Sequence, residues 1–275
     1  VSSGPIHEYD QARFTRDMTG RDISQEKYLP KASEEEIFRV ENLSLPGAFK
    51  DVSFSVHKGD VLGLTGLLGS GRGEIGEALF GIEPAQSGHI YLNGQEITIK
   101  NVADAIHNKI GYVPEDRLTE GLFMDRSILD NTIATSIRKY FHGIKLDKAA
   151  MEEATDRWIR EIGVVTPSSK PAVRTLSGGN AQKVVISKWL NTDPKLFILN
   201  GPTVGVDVGA KSEIHAILRE LAQKGIGIIV ISDDLPELLQ NCNKIVVMRD
   251  GRVAAVVDNS IEQKELSDLL MGRAE

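Results

Sequence analysis

The chain has 275 residues, 41% of them hydrophobic and 26% charged, which is enough apolar material for one large core or two small ones. A net charge of −7 argues against general affinity for nucleic acid or an anionic lipid surface. The lone Cys242 excludes a disulfide framework and a CxxC metal site, and no apolar run reaches the ~18–20 residues that cross a bilayer.

In chain order, the opening echoes the close. Val1-Ser-Ser-Gly followed by Asp17-Met-Thr-Gly-Arg21 repeats the pattern of Val253-Ala-Ala-Val followed by Leu270-Met-Gly-Arg273. An echo of this kind predicts two copies of one unit, with residues 1–22 as the tail of a preceding copy. Residues 23–35, polar and carrying Pro30 and Glu34, read as a linker. Ile37–Val40, Val52–Val56 and Val61–Leu64 then read as strands, and a helix follows from about Gly71 to Phe80, ended by Gly81. His89–Leu92 and Ile97–Ile99 flank the hairpin signal Asn93-Gly94. Asp147 is placed to cap a helix whose apolar stripe is Met151, Ala154, Trp158, Ile159 and Ile162. Leu196–Leu199, Ile226–Ile231 and Lys244–Met248 are apolar throughout, as strands covered on both faces are. Helices near 180–190, 209–224 and 262–270 alternate with them. The pattern predicts an α/β fold with an antiparallel β part near its start and a helical insertion at about 125–178.

Three motifs carry chemistry. Gly66-Leu-Leu-Gly69-Ser70-Gly71-Arg72-Gly73-Glu74 follows a strand and opens a helix, so its backbone N–H groups and positive helix end suit phosphate, although a plain strand-to-helix turn would look the same. A complete phosphate loop continues with Lys and then Ser or Thr. Here Arg72 keeps the charge in another shape, and Gly73 offers a metal no oxygen. Leu176-Ser177-Gly178-Gly179-Asn180-Ala181-Gln182-Lys183 forms a second helix start with small residues and a hydroxyl. The third run, Leu196-Phe-Ile-Leu-Asn200-Gly201-Pro-Thr203, leads an apolar strand into a polar end.

In order and spacing these motifs resemble the ATP-binding cassette of ABC transporters. The likeness is greatest to the second cassette of tandem-cassette proteins of bacterial sugar importers, and it spans residues 36–273. The resemblance implies a P-loop NTPase cassette with an antiparallel β subdomain and an inserted helical subdomain. It implies that Gly66, Gly69, Ser70, Gly71, Arg72, Gly73 and Glu74 line the nucleotide site. Leu176, Ser177, Gly178, Gly179, Asn180 and Gln182 would be donated in trans to a partner's ATP, and Asp207 would reach across the dimer interface. ATP is the implied cofactor, with Mg²⁺ mainly at the partner's site. The implied partners are a catalytic first cassette, a transmembrane permease and, indirectly, a solute-binding protein, at the cytoplasmic face of the bacterial inner membrane.

Against that family pattern the chain's own site is eroded. Asn200 and Gly201 stand where the family has Asp for Mg²⁺ and Glu as base, Glu115 stands at a glutamine, and Asp233 at a phosphate-sensing histidine. Loss of a general base costs ~10²–10⁴ in rate, roughly 3–5 kcal/mol of barrier. Asp234-x-x-Glu237 also reads as a capping box, and just before the second strand no aromatic apart from Phe49 is a candidate to stack on an adenine. The expectation is a hydrolytically weak cassette; the alternative is a regulatory or structural one that only braces the assembly.

Overall fold

Where the sequence alternates it forms one sheet, and where it is apolar throughout it forms another. The structure, a computed structural model, describes residues 27–30 and 33–273. The expected tail of a preceding copy, residues 1–22, lies outside them, as do 23–26 of the expected linker. β1 (Glu36–Leu45) and β2 (Phe49–His57) pair antiparallel and bury alternate residues. β3 (Val61–Gly66), buried along its whole length, enters the second sheet and runs into α1 (Arg72–Phe80), which Gly81 ends in the left-handed region.

β4 (Ser87–Leu92) then returns to pair with β1, and β5 (Gln95–Ile97) closes this four-stranded sheet in the order β2-β1-β4-β5. Asn93 and Gly94 have φ of 50° and 74°, the pair of positive values that a two-residue hairpin turn needs. So tight a turn starts the return strand at Gln95, two residues before the apolar pattern places it.

α2 (Val102–His107), capped by the Asn101 side chain, and β6 (Ile110–Val113) follow, neither of which the sequence reading included. The helical insertion holds α3 (Ile128–Ile133), a two-stranded ribbon of β7 (Phe141–His142) and β8 (Lys145–Leu146), and α4 (Lys148–Glu161). Its ends are stitched together: Ile128 N–H donates to Pro171 O and Val173 N–H to Arg126 O, both at 3.0 Å. Asp147 caps α4 by accepting from Ala150 N–H, and Met151 anchors a small core with Ile133 and Tyr140.

The chain then returns to the main sheet through α5 (Gly178–Leu190), β9 (Leu196–Asn200), α6 (Val208–Gln223), β10 (Gly227–Ile231), α7 (Leu235–Asn241), β11 (Lys244–Arg249), β12 (Arg252–Asp258) and α8 (Gln263–Met271). The strand order is β12-β11-β3-β10-β9-β6, parallel except for β12. Phe80 of α1 stacks on Tyr112 of β6 and meets Trp189 of α5 edge-on, both at 5.1 Å, locking helices to both faces. This topology gathers the loops after β3, β6, β9 and β10 at one edge, where open parallel sheets bind ligands.

Part of the expected linker is not a free spacer. Tyr28 is buried, donates its N–H to Gln240 O at 2.8 Å and its hydroxyl to Gly59 O at 3.0 Å, and accepts from Asn259 Nδ2 at 3.0 Å. An aromatic ring that finds an apolar seat and partners for its polar atoms overrides the polar composition around it.

Candidate functional site

The phosphate loop is shaped by its glycines. A Cβ on Gly66 would stand 2.2 Å from Ser70 Oγ and 2.8 Å from Met248 O. Gly71, at φ +89°, is the N-cap of α1 and abuts Ala48 O, where a Cβ would come to 2.6 Å. No side chain caps this helix start, so it offers backbone N–H groups to an anion. Ser70 is buried with its hydroxyl unpartnered, whereas Leu67, Leu68 and Gly69 are exposed at the loop's tip.

Arg72 is already engaged. Its Nη1 donates to Gly66 O and its Nη2 lies 3.0 Å from Asp233 Oδ2. Two positions read separately from the sequence, one lining the nucleotide site and one standing at a phosphate-sensing histidine, therefore pair with each other across the mouth of the loop.

The end of β9 lies opposite. The Asn200 amide is 3.7 Å from where a side chain on Gly73 would begin. Burial pushes the Tyr112 hydroxyl's pKa above its ordinary value, with Asn200 acting in the opposite sense. Gly201 takes φ +58°, and a Cβ there would meet Val204 Cγ2 at 2.9 Å and Glu115 Cγ at 3.3 Å. Glu115 itself is exposed. Glu74 lies in the first turn of α1, and one turn on Glu77 is pushed up by burial first and then by the charges of Glu74, Glu120 and Glu83. The backbone cradle fits phosphate oxygens, but Gly73 and Gly201 bring no oxygen and Asn200 no charge, so the donor set does not fit a magnesium ion.

Beyond β10 the expected capping box forms by half. Asp234 caps α7 by accepting from Glu237 N–H at 3.2 Å, but the Glu237 carboxylate does not reach back. It is buried instead among Thr203 Oγ1, His215 Nε2 at 2.6 Å and Ser232 Oγ at 3.1 Å. A buried carboxylate with three partners is bound more firmly than a surface box allows. Phe49 is buried in β2 against Gly71, so its ring presents no face to a base.

The second helix start is differently arranged. Ser177 is exposed at the N-cap of α5, and its hydroxyl accepts from Asn180 Nδ2 at 2.9 Å. Leu176 is half-buried. Gly178 and Gly179 are required by close packing, since a Cβ on Gly179 would come within 2.4 Å of Ala210 Cβ on α6. The rest of the run faces inward. Asn180 Oδ1 accepts from Val165 N–H at 2.8 Å, and Lys183 bridges Gly163 O and Glu213. Gln182 is 2% exposed, so its side chain packs within the chain. Asp207 is exposed and caps α6 by accepting from Ala210 N–H at 2.9 Å.

A glycine-built phosphate loop at the carboxyl edge of a parallel sheet, an antiparallel β layer and a helical insertion returning through a Ser-Gly-Gly helix start together define an ATP-binding cassette. The profile of the ABC transporter family matches residues 49–204, and the chain belongs to that family. It is 42% identical over 262 residues to the ribose import ATP-binding protein of Lactococcus lactis subsp. lactis, covering 94% of this chain and 53% of that protein. To the ribose import ATP-binding protein of Bacillus subtilis it is 38% identical over 260 residues, covering 94% of this chain and 52% of that protein. The chain thus spans about half the length of the curated relatives it matches. Among solved structures, a nucleotide-free ATP-binding cassette from an ABC transporter superposes with a TM-score of 0.72 at 26% identity, covering 86% of this chain and 95% of that one. No helix among the described residues is long and apolar enough to cross a membrane.

Sequence reasoning missed the Glu237 cluster and the Arg117 side chain. His215 and Thr203 lie 22 and 34 residues from Glu237, beyond any local pattern. Arg117 lies two residues after Glu115, which the sequence reading singled out, and was open to notice.

Proposed function

We propose that this chain is the second, degenerate cassette of a tandem ATP-binding subunit driving import of a sugar or a related small solute. In this reading it presents Ser177, Gly178 and Gly179 to ATP held by a catalytic first cassette, with Asp207 at the interface between the two. ATP bound at that partner supplies the energy of closure and, on hydrolysis, of reopening; a permease in the membrane follows those two states. Both cassettes sit at the cytoplasmic face of the membrane, and an external solute-binding protein delivers the cargo.

The observation that carries the reading is the contrast between the two helix starts. At α1 the cation beside the phosphate cradle is held by Gly66 and Asp233 of the same chain. At α5 Ser177 is exposed at the helix end, and among the described residues its hydroxyl accepts only from Asn180 in the first turn of the same helix. The ribose import ATP-binding proteins among its relatives support the cargo class, and their being about twice as long supports a second half.

The test is a pair of substitutions in the complete tandem protein. Ser177→Arg places a charged side chain at the donated helix start and is expected to abolish transport, whereas Arg72→Ala is expected to leave most of it. The reverse ranking overturns the assignment, as does steady ATP turnover by the isolated chain at the rate of an active cassette.

A further inference from the structure

Arg117, outside every motif above, ties the turn after β6 to the β9–α6 loop and lies against the Ser177–Gly179 helix start, the signature loop. Arg117 opens a wide turn, Arg117–Gly121, just after β6. Asp116 fixes the start of that turn, accepting from Leu118 N–H at 2.9 Å and from Thr119 Oγ1 at 2.7 Å. From there the Arg117 guanidinium reaches 87 and 88 residues along the chain, donating Nη1 to Val204 O at 2.5 Å and Nη2 to Gly205 O at 3.0 Å. Its third neighbour is the donated loop: a Cβ on Gly178 would stand 3.0 Å from Nη2 and 3.1 Å from Gly205 O.

We propose that Arg117 is the positioning residue that fixes the signature loop against the β9–α6 loop, and so aims Ser177 and Asp207 as one unit; this rests on the donor reading above. Three features argue for positioning over simple stability. The planar fork holds two successive carbonyls with two N–H groups in a fixed geometry, which a compact ammonium does not reproduce. Val204 and Gly205 are exposed, so water would satisfy their carbonyls if Arg117 were absent. Arg117 Nε is buried without a partner, a local cost that a purely stabilising contact would avoid. Gly178 lacks a side chain where the guanidinium lies, so the glycine serves this contact inside the chain as well as any approach by a partner's nucleotide.

The test compares Arg117→Lys and Arg117→Gln with the surface control Arg157→Gln by hydrogen exchange on this chain. The amides to follow are Asn180 and Ala181, bonded to Ser177, and Val204, Val206 and Ala210 around the β9–α6 loop. Both Arg117 variants are expected to speed exchange in the two segments together by about tenfold, with the melting temperature within a few degrees of the parent. Unchanged exchange, or a rise confined to residues 117–121, overturns the proposal. A second arm uses the complete tandem protein, where Arg117→Lys is expected to lower kcat for ATP more than tenfold with KM nearly constant; a change in KM alone also overturns it. If Ser177→Arg proves harmless there while the exchange result holds, the donor reading fails and the clasp stands as a contact within the cassette.

Discussion

Arg72 Nη2 and Asp233 Oδ2 meet at 3.0 Å although 161 residues separate them, and the pair closes over the loop that would otherwise present Arg72 to phosphate. Asp233 is 78% exposed, so water screens the attraction, and such pairs contribute ~0–1 kcal/mol. An ion pair this weak competes with an anion without excluding it. Asp233→Asn is therefore expected to leave the melting temperature nearly unchanged and to tighten binding of ATP or tripolyphosphate, without magnesium, by about two- to fivefold. Calorimetric titration of the isolated chain checks it; weaker binding by the variant would mean that Asp233 serves the anion and not the arginine.

In the proposed reading, placing a base at Gly201 does not by itself make an active site. Gly201 has φ +58°, and any side chain there starts 2.9 Å from Val204 Cγ2 and 3.3 Å from Glu115 Cγ. A non-glycine residue in the left-handed region costs about 1–2 kcal/mol, and the contact with Val204 adds to that. Gly201→Glu is expected to lose about 2 kcal/mol or more in urea unfolding and, on the proposed reading, to gain no ATP turnover, because Gly73 brings a metal no side-chain oxygen and Asn200 no charge.

Local rules were enough wherever the neighbours in sequence are also the neighbours in space. Asn93-Gly94 closes its hairpin and Asp147 caps its helix as their local patterns require, whereas the cap that Asp207 places on α6 was not read from the sequence. The apolar runs of β9, β10 and β11 name central strands since only doubly covered strands tolerate them. β6 escaped notice as four residues with a glycine among them, and α2 as six residues resting on an asparagine cap. The site's electrostatics were legible as a list of charges but not as pairings. Arg72 chose Asp233, Glu237 chose His215, and Arg117 chose Val204 and Gly205, all over distances in sequence that no motif spans.

The Glu237 cluster ties the Thr203 loop to the Ser232 loop and sets a pH dependence. Burial raises the Glu237 pKa, but the hydrogen bond and charge of His215, with Thr203 and Lys211, more than offset it and leave the group below its ordinary value. A carboxyl depressed in the folded state stabilises fully above its unfolded pKa, near 4.3, and loses that stabilisation as pH falls through the folded value. Glu237→Gln is expected to cost about 1.5–3 kcal/mol at pH 7, the range for losing hydrogen bonds to a buried charged group. In urea unfolding the gap between parent and variant is expected to shrink below about pH 4.3. A gap that stays constant down to pH 3 would show that Glu237 is not ionised in the fold.

Lys188 works in the opposite sense. It lies buried on α5 with Nζ 2.6 Å from Gly121 O and 5.4 Å from the Trp189 ring centre, and desolvation lowers its pKa to about 8. Between that value and the ordinary 10.5 the unfolded chain binds the extra proton, so stability rises with pH across this window. Below pH 8 the folded protein carries the cost of a charged ammonium beneath the helical insertion. Lys188→Met removes the titration but also leaves Gly121 O without its donor, so the sign of its effect at pH 7 depends on which loss is larger. The change with pH does not. Relative to Lys188→Met, the parent is expected to gain about 2 kcal/mol between pH 7 and 9.5, read from urea midpoints at each pH. Parallel curves for the two proteins would place the Lys188 ammonium in contact with water, and the helical insertion would then have to be looser over α5 than its burial indicates.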